Sequence, residues 1–194
     1  HQEQTWQSLT ERFPEFDHEL DGSAKAVCKR AVTLSDFVYR SIEQAPAATI
    51  SLFKRKDFVG LPNYKAELAV DLDGCTSEEQ LHSILRQFRL TRMVAIAVAD
   101  LVNNVPLNES LSRLSSLADA LILGALEWLT DYCHERWGTP VNSAGEVQPL
   151  LVFGMGKLGG EELNFSSDID LIFTYPEAGQ TTGARKSLDN QQFF

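Results

Sequence analysis

The chain has 194 residues, with 17 lysines and arginines against 27 aspartates and glutamates, so its formal net charge is −10. This length suits one domain, or one domain with a helical extension, and 43% hydrophobic with 23% charged residues is typical of globular proteins rather than disordered ones. The acidic balance argues against a nucleic-acid-binding protein, because phosphate backbones attract basic surfaces. We therefore expect no nucleic-acid partner, and a phosphate site would have to be local.

Cysteine spacing and hydropathy exclude further classes of protein. Cys28, Cys75 and Cys133 lie far apart without metal-ligand spacing, which argues against a zinc site or a disulfide framework. The longest apolar stretch, residues 93–99, is far shorter than the roughly 20 residues that span a bilayer. The N-terminus carries no signal-peptide pattern. These features predict reduced thiols, no membrane span and a cytoplasmic location.

The first two-thirds of the chain is predicted to be helical. Apolar residues recur at spacings of three and four, which predicts helices over residues 24–44, 77–102 and 107–133. The second helix begins at Ser77 with two glutamates, and its residues 93–99 are apolar on every side, so we expect them to be buried. Its three arginines within residues 86–92 form either a solvated basic face or a contact for phosphate or an acidic protein substrate. Gly138 ends the third helix, and residues 46–76 fit helix or strand.

The sequence pattern changes from that of helices to that of short strands and turns after the third predicted helix. Residues 150–153 form a short apolar run, as expected of a central strand. Residues 168–175 form a second strand that Pro176 closes. Between the two strands lie a glycine-rich segment, residues 154–160, and a predicted helical turn over residues 161–164. Helices followed by these strands predict an α+β protein.

Asp168 and Asp170 lie two residues apart on the second predicted strand, so both side chains should leave one face. Ile169 and Leu171 alternate onto the opposite face, where we expect them to be buried against helices. Two carboxylates that converge on an apolar-backed strand repel each other. A hard divalent cation such as Mg²⁺ relieves that repulsion. Taken alone, the Asp-x-Asp pattern also fits a pair of solvated acids at the end of a strand.

Gly159 and Gly160 precede these aspartates, between the two predicted strands. Glycine lets a backbone approach a phosphate, although an ordinary tight turn also uses it. Ser167 fits a phosphate donor or a turn cap, and Lys157 fits a phosphate contact or a solvated loop lysine. A P-loop would need a hydroxyl residue where Leu158 stands, and a dinucleotide-binding fold would need a longer crossover before the second strand.

The longer string Gly-Met-Gly-Lys-Leu-Gly-Gly-Glu-Glu-Leu-Asn-Phe-Ser-Ser-Asp-Ile-Asp-Leu-Ile-Phe, residues 154–173, resembles the DNA polymerase β-like nucleotidyltransferase superfamily. Within that superfamily it looks like the bifunctional glutamine synthetase adenylyltransferase/adenylyl-removing enzymes. The resemblance continues at residues 34–37, 85–92, 137–140 and 148–151. It implies a helical N-terminal region at residues 1–140, followed at residues 141–194 by the first part of a mixed-sheet catalytic core. We expect that core to be incomplete.

The same resemblance implies roles for individual residues. Asp168 and Asp170 would be catalytic and would hold Mg²⁺. The phosphate- and nucleotide-binding residues would be Gly159, Gly160, Ser167 and Lys157. The superfamily uses a third acidic residue on a later strand, and nothing after Tyr175 fits that strand, so we expect it beyond Phe194.

The helical leader and the Asn-Phe-Ser-Ser stretch at residues 164–167 look like the N-terminal, adenylyl-removing half of that family. The resemblance implies that inorganic phosphate attacks an AMP–tyrosine linkage on glutamine synthetase and releases ADP, which regulates nitrogen assimilation. Its implied partners are glutamine synthetase, the PII signalling protein, ADP or ATP, and phosphate. Two alternatives stay open, namely AMP transfer from ATP to the same tyrosine and a non-catalytic fragment that binds partners.

Overall fold

The computed structural model describes residues 2–194, and helices account for most of them. The first part of the chain contains α1 Gln2–Arg12, α2 Glu15–His18, α3 Gly22–Leu34, α4 Asp36–Gln44, α5 Pro46–Arg55, α6 Tyr64–Leu72, α7 Glu78–Leu101 and α8 Leu107–Trp137. It is followed by β1 Thr139–Asn142, β2 Leu151–Gly154, α9 Gly156–Gly159, β3 Leu171–Thr174, β4 Gly179–Thr182 and α10 Asn190–Phe193. The predicted α+β class is confirmed.

The strands form two separate antiparallel pairs. β1 pairs with β4, and β2 pairs with β3 in a register that places Leu151 opposite Thr174 and Gly154 opposite Leu171. The sequence does not predict β4, because its residues, Gly-Gln-Thr-Thr, lack the alternating apolar pattern of a half-buried strand. The mixed sheet of a nucleotidyltransferase stays a prediction.

The predicted single helix over residues 24–44 is two helices, because Ser35 interrupts it. Ser35 has extended backbone angles, φ −144° and ψ 112°, and its hydroxyl oxygen accepts the Val38 N–H at 3.3 Å. Ser35 is therefore the N-cap of α4, and the apolar spacing runs through it without a break because it reports only which face is buried. The segment 46–76, for which helix and strand were both open, contains the helices α5 and α6.

α7 is the central helix of the fold and begins as predicted. The Ser77 hydroxyl oxygen accepts the Gln80 N–H at 3.3 Å, and residues 93–99 are all buried. Within this stretch, Met93 and Ile96 pack in a cluster with α6 and α8, whereas other residues face a second cluster built from α1–α5. An apolar surface on every side is therefore required, because α7 separates two hydrophobic cores.

Arg92 of α7 is a structural ion-pair residue and does not belong to a solvated basic face. Its side chain is 13% exposed, with Nη1 3.3 Å from Asp57 Oδ2 and Nε 2.9 Å from Glu67 Oε2. The Nε–H does not point at the Glu67 oxygen, so the second contact is an ion pair without a hydrogen bond. The guanidinium also lies over the Phe88 ring, 4.9 Å from its centroid. Arg92 thus joins α7 to α6 and to the loop before it.

The three cysteines are free thiols, and Cys28 is fully buried. Burial raises the pKa of the Cys28 thiol, which keeps it protonated. Within residues 2–194, every helix is either too short or too polar to pass through a lipid bilayer.

Asp21 caps α3 and makes the fold sensitive to acid. Its Oδ1 accepts the Ala24 N–H at 2.7 Å and the Ser23 hydroxyl at 2.8 Å, and Lys56 Nζ lies 3.2 Å from Oδ2. The hydrogen bond from Ala24, followed by those from Ser23 and Lys56, lowers the pKa of Asp21 from 3.8 to about 2. Because folding favours the ionised form, this stabilisation is present above a pH of about 4 and is lost as the pH falls towards about 2.

Asp21→Ala is therefore expected to lower the urea concentration at the midpoint of unfolding near neutral pH. As the pH falls from about 4 to about 2, the midpoint of this variant should decrease less than that of the unmodified protein. Circular dichroism at several pH values measures both changes. The matched control is Asp131→Ala, which alters an exposed aspartate on α8 that caps no helix. A decline with pH equal to that of the unmodified protein would contradict the role given to Asp21.

Candidate functional site

The candidate site is built from β2, the glycine-rich turn that follows it at residues 155–160, and the segment 161–170 that leads into β3. β2 continues through Met155 into α9, and the chain returns through residues 160–170 to β3. The Met155 N–H donates to the Asp170 carbonyl oxygen at 2.9 Å, which extends the β2–β3 ladder by one residue. Asp170 therefore lies across from the residue that begins the glycine-rich turn.

Asp168 and Asp170 precede the strand on which they were predicted to lie. β3 begins at Leu171 because its partner strand ends at Gly154, after which the chain turns into α9. Ile169 is 42% exposed, so the prediction that it is buried opposite the aspartates is wrong, whereas Leu171 packs against the α6–α8 cluster. The two aspartates lie on an irregular, exposed segment at the entrance to β3.

The donor atoms present fit a hard cation bound together with phosphate. Both carboxylates are exposed, and neither has a hydrogen-bond or ion-pair partner among residues 2–194, so their oxygens are available. Mg²⁺ typically takes one or two carboxylates and completes its shell with phosphate oxygens and water. No group of three or more His, Cys, Asp or Glu side chains within the described part of the chain could hold a metal. A third carboxylate stays a prediction.

The two glycines of the turn differ in their surroundings. A Cβ on Gly159 would lie 2.5 Å from the carbonyl oxygen of Gly154, so glycine is required there for close approach of the turn to β2. A Cβ on Gly160 would meet no atom closer than 3.6 Å, which is an ordinary van der Waals contact, and Gly160 is exposed to solvent. The Gly159 N–H donates to the Met155 carbonyl oxygen at 3.4 Å and the Gly160 N–H to that of Gly156 at 3.1 Å. A phosphate oxygen could accept either N–H group only by replacing the carbonyl oxygen that accepts it in this structure.

The hydroxyl of Ser167 takes part in a turn immediately before Asp168. Ser167 Oγ donates to Asn164 Oδ1 at 2.7 Å and accepts the Asn164 N–H at 3.2 Å. This arrangement favours the turn-cap interpretation of Ser167 over that of a free phosphate donor. Lys157 is exposed on α9, and its ammonium has no ion-pair partner among residues 2–194. Its positive charge is thus available beside the turn.

The predicted helical turn over residues 161–164 is absent, and the short helix α9 lies before it instead. Leu158 of α9 and Leu163 are each 6% exposed and pack against α8. Asp119 of α8 lies close enough to Glu161 for the two charges to interact, and burial together with that charge raises the pKa of Asp119. The two buried leucines, and not this pair of like charges, therefore hold the turn against the helical part of the protein.

The β2–β3 pair exposes large apolar side chains. The most exposed are Leu151, Phe153, Met155, Ile172 and Phe173, at 39%, 50%, 44%, 51% and 58%. β2 was predicted to be a buried central strand, and within residues 2–194 it is not, because β3 is its only partner. The pair has free strand edges and apolar faces that further strands could cover.

Comparison with known proteins identifies the relatives of this chain. A family model described as glutamate-ammonia ligase adenylyltransferase matches residues 26–194. The bifunctional glutamine synthetase adenylyltransferase/adenylyl-removing enzyme of Shewanella loihica is 46% identical over 193 residues, covering 99% of this chain and 20% of that protein. Those of Shewanella oneidensis and Shewanella woodyi are 44% and 43% identical, over 99% and 97% of this chain and 20% of each relative. The chain thus spans about a fifth of the length of these relatives.

Proposed function

The chain belongs to the glutamate-ammonia ligase adenylyltransferase family, and from that membership we propose that it carries the first part of a nucleotidyltransferase core in the adenylyl-removing half of a bifunctional protein. In this proposal residues 1–140 form the helical leader and residues 141–194 begin the core. The full-length protein removes AMP from a tyrosine of glutamine synthetase by phosphorolysis and releases ADP.

One contact carries this proposal. The hydrogen bond from Met155 to the Asp170 carbonyl oxygen, at 2.9 Å, sets the aspartate segment beside the start of the glycine-rich turn. A phosphate at Gly160 and a cation at the carboxylates of Asp168 and Asp170 would then be neighbours. This is the pairing that phosphoryl and nucleotidyl transfer requires, because the protein mainly positions groups and neutralises charge.

Each site residue has a defined task in the reaction. A phosphate oxygen attacks the phosphorus of AMP, the bond from that phosphorus to the tyrosine oxygen breaks, and the tyrosine oxygen keeps the electron pair and takes up a proton. Gly160 leaves space for the phosphate, and Gly159 brings the turn close to β2. Lys157 supplies a positive charge, and Ser167 supports the turn that leads to Asp168.

The carboxylates of Asp168 and Asp170 would hold Mg²⁺, for which their free and exposed oxygens are suited. When bound, Mg²⁺ neutralises charge on the phosphate that is transferred. A third carboxylate is expected on a later strand beside β2 or β3, whose free edges can accept one. The PII signalling protein as regulator is a further part of the proposal that follows from the resemblance, and a cytoplasmic location is a further part that follows from the sequence features given above.

The two glycines should respond differently to substitution by alanine. Gly160→Ala is expected to leave the melting temperature unchanged, because the added Cβ makes only ordinary van der Waals contacts, and to raise the KM for phosphate by about tenfold, because the new methyl group obstructs the approach of phosphate. Gly159→Ala is expected to lower both the melting temperature and kcat, because its Cβ would overlap the Gly154 carbonyl. Thermal unfolding and steady-state kinetics of the full-length protein measure these effects. An unchanged KM in Gly160→Ala would contradict the phosphate role.

The direct test supplies the full-length protein with adenylylated glutamine synthetase, Mg²⁺ and inorganic phosphate. The proposal expects ADP and unmodified glutamine synthetase in equal amounts, with no reaction when phosphate is left out. An active preparation that releases AMP instead of ADP, or that works equally well without phosphate, would overturn it.

A second candidate is the transfer of AMP from ATP to the same tyrosine, because the names of the relatives include both adenylyltransferase and adenylyl-removing activities. The same carboxylates and turn could serve it, since both reactions pass through in-line displacement at the α-phosphorus. Variants at Asp170 that abolish ATP-dependent adenylylation while leaving phosphorolysis intact would favour this alternative. A third reading is a partner-binding fragment, for which calorimetry of this chain should detect no binding of Mg²⁺ and nucleotide.

A further inference from the structure

We propose that Ser115 of α8 is a positioning residue for the glycine-rich turn and the aspartate segment. The Ser115 side chain is buried, and its Oγ accepts the Leu163 N–H at 3.2 Å. Leu163 lies between Gly160 and Asp168 along the chain, so this bond joins the helical part of the protein to the segment that carries the candidate site. The inference rests on the proposed function and deepens it by adding a residue from α8.

Apolar contacts bring the turn to α8 but leave its orientation open. Leu158 within the turn and Leu163 after it are buried in the cluster that contains Leu114, Leu117 and Ala118 of α8. Such contacts are non-directional. A hydrogen bond prefers a narrow range of distance and angle. The bond from Leu163 to Ser115 therefore selects one orientation of the backbone that the leucines alone would leave free.

The position of the backbone at Leu163 also determines the position of the segment that carries the aspartates. The next residue, Asn164, is bonded through its N–H and its side chain to Ser167, at 3.2 Å and 2.7 Å, and Asp168 follows Ser167. Two sets of hydrogen bonds, joined by the backbone between them, thus connect α8 to Ser167, the residue before Asp168. Because phosphoryl transfer depends on positioning, a small displacement of this segment is expected to slow the reaction without removing any group that touches substrate.

The test compares Ser115→Ala with Ser110→Ala in the full-length protein. Ser110 is a matched control, because it is also buried on α8 but donates to Asp100 Oδ1, at 2.9 Å, and makes no bond to the site segment. The kcat for ADP release is expected to be about tenfold lower in Ser115→Ala than in Ser110→Ala. The difference in KM between the two variants should be smaller than this difference in kcat. Ser115→Thr, which keeps the hydroxyl, should restore most of the lost rate.

Hydrogen exchange gives a readout that does not depend on activity. In the unmodified protein the Leu163 amide should exchange slowly although it lies outside any helix or strand, and in Ser115→Ala the peptide covering residues 160–168 should exchange faster than in Ser110→Ala. Equal kcat and equal exchange in the two variants, or a rapidly exchanging Leu163 amide in the unmodified protein, would overturn the role of Ser115. An unmodified protein that releases no ADP but protects the Leu163 amide would instead count against the proposed function.

Discussion

Replacing Asp170 with asparagine in the full-length protein is expected to lower the rate of ADP release by about a thousandfold, which corresponds to about 4 kcal/mol of transition-state stabilisation. The substitution keeps the size of the side chain and removes its charge. An amide holds a hard cation less well than a carboxylate does. Asp168→Asn should behave in the same way, because both carboxylates are exposed and have no protein partner within residues 2–194.

The measurement is a single-turnover assay of ADP release at saturating phosphate and Mg²⁺. Thermal unfolding should show no change in either variant, since neither carboxylate stabilises the fold through a hydrogen bond or ion pair. Asp131→Asn, at an exposed position on α8, is the control and should keep full activity. Retention of activity within a few-fold in both site variants would remove Asp168 and Asp170 from the chemistry.

Phe88→Ala is expected to lower the free energy of unfolding by about 3–5 kcal/mol, the range for loss of a buried phenylalanine. Phe88 is 2% exposed in the cluster that joins α6, α7 and α8. Its ring meets Tyr64 edge-on, with centroids 6.5 Å apart, and supports the guanidinium of Arg92. The substitution would therefore leave a cavity and remove the surface on which a largely buried cation rests.

Urea unfolding followed by circular dichroism measures this loss. Phe37→Ala, which truncates a 36% exposed ring on α4, is the matched control and should cost about 1 kcal/mol or less. Because Leu158 and Leu163 share the cluster with Phe88, Phe88→Ala should also loosen the glycine-rich turn. Similar losses in the two variants would show that the cluster does not carry the stability assigned to it.

The long helices α7 and α8 could be predicted because their signals are local. The cap at Ser77, the apolar stretch over residues 93–99 and the positive φ of Gly138, +81°, each act within a few residues along the chain. Ser35 could not be predicted as a helix boundary, because it lies in the middle of a continuous apolar stripe. The spacing of apolar residues reports which face is buried and does not report where the backbone leaves the helix.

The candidate site was less predictable, because contacts distant in sequence decide its shape. The sequence shows Asp168 and Asp170 as two acids one residue apart, but the start of β3 after them depends on where β2 ends. Gly159 and Gly160 look equivalent in the sequence, and only the approach of the Gly154 carbonyl distinguishes them.

The sequence by itself determined the helical character, the acidic balance and the chemical identity of the site residues, because these depend on side-chain type and short-range spacing. Only the tertiary structure decided how that site is held. Ser115 and Leu163 lie 48 residues apart in the chain, and nothing in the local pattern of either one specifies the other. A serine on the buried face of α8 acquires a partner only when the fold brings a backbone N–H to it, and burial then makes that bond costly to lose.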